Sequence, residues 1–109
     1  MYQELIVVIV EKYRAEEVMA AAKRAGAHGG TIMYGKGVDG KDQKHFFDIL
    51  IEPEKEVVFI LSKKDETQRI VEGIDGELEL SSMKNGVLLV LDVFGSLDKT
   101  DVLNNTGAA

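Results

Sequence analysis

The sequence has no cysteine, which excludes disulfides and thiolate metal sites together. It has one proline, Pro53, and two histidines, His28 and His45, so imidazole chemistry has few places to occur. No apolar run approaches the ~20 residues that a membrane-crossing helix needs. The longest, Leu5 to Val10, suits a strand. A basic, then apolar, then small-residue signal pattern is missing from the start, and the expectation is a cytoplasmic protein. An excess of basic charge is missing too. Thirteen Lys and Arg are mixed among nineteen Asp and Glu for a net charge of −6. Such a chain repels a polyanion, which excludes nucleic acid as a partner.

What is present is one domain's worth of chain, 109 residues with 45% hydrophobic content. That length buries roughly 60–70% of the unfolded surface around a single core. Leu5-Ile6-Val7-Val8-Ile9-Val10 does not alternate, which predicts a central strand covered on both faces. Arg14 to Ala25 spaces Ala15, Val18, Met19, Ala22 and Ala25 as a helix does, with Gly26 as its C-terminal cap. Thr31 to Tyr34 predicts a second strand, and residues 35–45 a flexible, glycine-punctuated loop. Phe46 to Glu52 and Val57 to Leu61 are expected to form one long strand bent at Pro53. Asp65 with Gln68 has the spacing of a capping box, and Ile70, Ile74 and Leu78 form the stripe of a second helix that Gly73 and Gly76 should weaken. Asn85-Gly86 turns into a last strand, Val87 to Phe94. Residues 1–97 make the domain and 98–109 a polar tail.

Leu5 to Lys12 and Val57 to Lys64 are alike in pattern, and a charged helix and a strand follow each. Two such split βαβ units predict an α+β fold, the ferredoxin-like βαββαβ sandwich with both helices on one face. The first and last strands are apolar on both sides, yet two helices cover one side only. A second copy of the chain is the simplest cover for the other.

Six of the eleven glycines lie between Gly26 and Gly40. Gly35 to Gly40 fits G-x-G-x-x-G, but no helix follows to meet a pyrophosphate. Gly35 to Lys41 fits G-x-x-x-x-G-K, with Asp42 where Ser or Thr would ligate magnesium. His28 and His45, with Asp39, Asp42 and Asp48, could make a weak divalent site. A turn histidine and a solvated histidine are the simpler reading. Ser62, Ser81, Ser82 and Ser96 stand in no nucleophile elbow, so the chain is not expected to be an enzyme.

The run G-A-H-G-G-T-I-x-x-G-K-G, the later E-K-E-V-V-F-I-L and the closing V-L-D-V-F-G-S-L resemble the PII nitrogen-regulatory superfamily. The resemblance spans strand one to about Leu97 and implies a PII-like homotrimer. It also implies adenine nucleotides (ATP, ADP or AMP) as effectors in clefts between subunits, and a T-loop that regulates a transporter or metabolic enzyme. By position, Thr31, Gly37 and Gly86 match the effector residues, and Lys36 and Lys84 join them as lysines that could supply phosphate-binding charge. Val38, Asp39, Gly40, Lys41, Asp42, Gln43 and Lys44 form the partner-binding loop. The chain departs from the family in three ways: no tyrosine between Lys36 and Phe46, Val87 in place of a phosphate-binding lysine, and no arginine after Asp98. Two alternatives are a trimeric interaction module that binds no nucleotide and a CutA-like metal binder.

Overall fold

In a computed structural model, which describes residues 1–37, 44–46, 49–51, 54–80 and 86–97, β1 (Glu4–Glu11) is the central strand. It pairs antiparallel with β5 (Glu54–Ser62) on one side and β6 (Val87–Asp92) on the other. β2 (Thr31–Lys36) adds antiparallel to the outside of β5, for the order β2-β5-β1-β6. With α1 (Ala15–Arg24) after β1 and α2 (Lys64–Leu78) after β5, this is the α+β βαββαβ arrangement expected from the pattern.

Register decides what each face holds, because residues directly opposite in an antiparallel pair share a face. Ile6 lies opposite Ile60, and Val8 opposite Val58; with Val10 they are fully buried under the helices. Val18, Ala21 and Ala22 of α1 and Ile70, Ile74 and Leu78 of α2 complete this core. The other face is also apolar. Leu5, Leu61 and Leu91 form one row, Val7, Phe59 and Leu89 the next, and Ile9, Val57 and Val87 a third. Along its β6 border this face stays open, with Leu89 and Leu91 nearly half exposed.

α1 ends as the glycine predicts. Gly26 takes φ +110, the Ala27 N–H donates to the Ala22 carbonyl (2.9 Å), and the Gly26 N–H donates to Lys23 (3.0 Å). These two bonds make a Schellman cap. Arg69 of α2 adds a third, from Nε to the Ala25 carbonyl at 2.7 Å.

Four expectations are corrected. The N-cap of α2 is Lys63 rather than Asp65; its N–H donates to the Glu66 carboxylate (3.0 Å), while Gln68 bonds Glu72 one turn on. A backbone N–H needs only a carboxylate three residues ahead, whatever its own side chain. The long bent strand is two strands in separate sheets: β4 (Ile49–Ile51) pairs with β3 (Lys44–Phe46) in a hairpin, and β5 starts afresh at Glu54. Pro53, outside the described residues with residue 52, falls at that break; a proline has no N–H to carry a ladder through. Gly35 and Lys36 are not loop but the end of β2, opposite Lys55 and Glu54, and Lys44 opens β3. The last strand ends at Asp92, two residues before Phe94. Residues 38–43, Lys84, Asn85 and the tail from 98 lie outside the described residues.

Gly73 does more than weaken α2. A Cβ there would stand 2.6 Å from the Ala25 Cβ, so the glycine lets the helices approach. A Cβ at Gly76 meets nothing within 4 Å. Among the described residues, no helix is long and apolar enough to cross a membrane. Gly73→Ala should therefore destabilise by about 1–3 kcal/mol through overpacking, with Ala25→Gly restoring part of the loss. Gly76→Ala should gain about 0.5–1 kcal/mol of helix propensity. Urea midpoints at constant slope measure both.

Candidate functional site

The residues singled out for effector binding fall at three places. Thr31 is exposed at the start of β2 and borders a hollow of about 410 Å³ on the open sheet face, walled by Tyr2, Leu5, Phe59, Leu61 and residues 28–30. Lys36 ends the same strand, five residues or roughly 16 Å along. It borders a second hollow of about 410 Å³ with Lys12, Tyr34, Glu54 and Lys55. Gly37 follows, and a Cβ there would lie 3.0 Å from the Lys55 side chain. Gly86 is on the far edge, beside a groove of about 510 Å³ between α2 and β6 that includes Glu72, Asp75 and Leu80. Three strand spacings, about 14 Å, separate the β2 edge from the β6 edge. One chain brings Thr31, Lys36 and Gly37 onto one border and does not join them to Gly86.

The Lys36 corner carries most of the local charge. Three lysines and a single glutamate line its hollow in a protein of net charge −6. Lys12 Nζ pairs with Glu54 at 2.5 Å and sits 5.0 Å from the centre of the Tyr13 ring. Hydrogen bonding to Lys12, with help from the Lys12 and Lys36 charges, holds the Glu54 carboxyl below its ordinary 4.5. The same bond, first among several causes, raises Lys12 above 10.5. Tyr13, in the tight turn between β1 and α1, takes φ 75 and is largely exposed, as is Tyr34. A left-handed backbone at a tyrosine costs of order 1–3 kcal/mol unless its surroundings hold it.

Those surroundings come from β5. Glu56, only 6% exposed, accepts the Ala15 N–H at 2.8 Å. The α1 N-cap, Arg14, makes no side-chain cap bond. A carboxylate 41 positions away thus does the work of a cap, at the positive end of the helix dipole. Glu54 and Glu56, alternate residues of β5, both fasten the β1 to α1 turn. Sequence reasoning missed them, as it missed Lys12, Tyr13, Tyr34 and Lys55. The available signal was a pair of acids two apart at the head of an apolar strand.

His28 lies 4.0 Å from the Glu66 carboxylate through Nε2. Among the described residues no three His, Asp or Glu side chains converge to hold a metal.

The family model for nitrogen regulatory protein P-II matches residues 3–95. No curated protein matches the chain. A solved structure described as a PII-like signalling protein from Thermus thermophilus superposes with TM-score 0.62 at 16% identity, covering 84% of this chain and 85% of that one. At that identity the likeness is one of fold.

Two outcomes test this corner. Glu56→Ala strands a buried helix N–H and should cost about 2 kcal/mol of unfolding free energy, with Glu56→Gln costing less. Ionised Glu54 favours the folded state. Its contribution is complete above about pH 4.5 and fades as pH falls through the lower folded-state value. Glu54→Gln should therefore flatten the acid limb of a urea-midpoint profile slightly, and added salt should shrink the difference because the pair is exposed.

Proposed function

The chain belongs to the nitrogen regulatory protein P-II family, and from that premise we propose that it is a homotrimeric cytoplasmic regulator rather than an enzyme. An effector, an adenine nucleotide in the first instance, binds between subunits at Thr31, Lys36, Gly37, Lys84 and Gly86. The observation that carries this reading is the separation of Thr31 and Gly37 from Gly86 by the width of the sheet. A ligand that touches both borders needs two chains.

The run Val38 to Lys44 would then dock on a protein partner such as a transporter or metabolic enzyme. It is continuous with β2 through Lys36 and Gly37, so a ligand bound at those residues biases it between two arrangements. Only a ligand with different affinity for the two can do so. A second reading, a trimeric interaction module that binds no nucleotide, is favoured by Val87 and by the absence of arginine after Asp98. The lysines of the Lys36 corner supply point charges rather than bidentate forks.

Calorimetric titration with ATP, ADP, AMP and cyclic AMP separates the two. The leading reading expects binding of at least one, weakened about tenfold or more by Thr31→Ala, the loss of a hydrogen bond to a charged ligand. No binding at millimolar ligand would favour the module. Deleting residues 38–43 should abolish partner capture under either reading and, under the first, shift effector affinity, because coupling between the run and the ligand is reciprocal.

A further inference from the structure

Phe94 is the most exposed large apolar side chain among the described residues, with 108% of its reference area open. It does not ride on a loose end. The Val93 N–H donates to the Gln3 carbonyl at 2.9 Å. The Tyr2 N–H donates to Ser96 Oγ at 3.0 Å, and Ser96 Oγ donates to the Tyr2 carbonyl at 3.3 Å. The chain on both sides of Phe94 is thus tied to the head of β1, and the ring stands out from a fixed mount. A contact made by a pre-ordered group loses little entropy on forming.

The same chain carries a hollow that suits such a ring. The cavity beside Thr31, walled by Tyr2, Leu5, Phe59 and Leu61, has about 410 Å³. Roughly 150 Å³ of apolar space accommodates benzene, so a phenyl group enters with room to spare. Knob and hollow lie on one apolar tract, since Leu5 and Leu61 of the hollow share a row with Leu91 of β6. Neither the lining of the hollow nor residues 93–97 contain a carboxylate, although Asp92 precedes the knob and Glu66 lies 4.0 Å from His28 on the rim.

We propose that Phe94 of one copy of this chain fills the Leu5, Phe59 and Leu61 hollow of the next copy, and so forms one wall of the pocket at Thr31. The knob follows the end of β6 and the hollow opens between β1, β5 and the start of β2, so the joined surfaces differ. Such a head-to-tail contact closes into a ring when its rotation permits. Three copies each give one ring and receive one. This rests on the homotrimer reading and adds the contact that closes it.

The chain's lack of cysteine allows a clean test. Position 29 is on the rim of the hollow and position 94 on the segment after β6, so a bridge between copies gives a covalent trimer, whereas a bridge within one chain stays at single-chain size. A Cβ at Gly29 meets nothing within 4 Å. Mild oxidation of the Gly29→Cys/Phe94→Cys variant should give a covalent trimer on a non-reducing gel, collapsing to single chains with reductant. By sedimentation, Phe94→Ala should raise the dissociation constant of the assembly at least about tenfold, as expected of a buried aromatic anchor, while Phe94→Leu keeps most of the affinity. An assembled double variant without cross-links, or unchanged dissociation for Phe94→Ala, overturns the contact and leaves the trimer standing. A wild-type chain that sediments as a single copy at every concentration overturns both.

Discussion

Two helices can cover one side of a four-stranded sheet, and the strands of this sheet are apolar on both. The rest of the molecule is arranged around that mismatch. β1 is hidden on the helix face by Val18, Ile70 and Ile74, and its outward residues lie in continuous rows with β5 and β6. At roughly 25 cal/mol per Å², so broad an apolar surface is a strong drive toward association. A large exposed patch of this kind marks an interaction surface in soluble proteins. The P-II family match fits the proposal made above, in which the single chain is a part and the site belongs to the whole.

The covered side is held by close approach rather than by bulk. α1 presents Ala21, Ala22 and Ala25, and α2 answers Ala25 with Gly73, so the backbones come near. The ends of the pair are then fastened by charge. Arg69 donates to the carbonyl of Ala25, the residue that caps α1, and Arg24 forks onto Glu77 through Nε at 3.0 and 3.1 Å. A third tie, Ser62 Oγ to Thr67 Oγ1 at 2.6 Å with Thr67 donating on to the Lys63 carbonyl, satisfies two buried hydroxyls where β5 hands over to α2. These contacts tie the two helices to each other and to the end of β5.

Much of this was legible in the chain. The unalternating Leu5 to Val10, the Ile70, Ile74 and Leu78 stripe and the glycine after Ala25 each act through neighbours within a few positions, where periodicity and backbone chemistry are sufficient. Strand order followed from the repetition of the strand-helix-strand pattern. What stayed hidden acts at a distance. Glu56 caps a helix 41 positions earlier, and no local rule joins it to Ala15. The parting of β4 from β5 depends on which partner each strand finds, and an apolar run does not say. The effector residues were named by resemblance, and only their scatter over three corners exposed how little one chain holds together.

The pairing of Tyr2 with Ser96 brings the head of β1 and the segment after β6 to a single corner. Two points of the fold this close are what circular permutation requires, with residues 98–109 left out of the join. A short linker could join them, and new termini could open elsewhere with the strand order intact. A fluorophore attached at Tyr2 or at Ser96 would report from the same corner, beside the hollow that Tyr2 helps to wall.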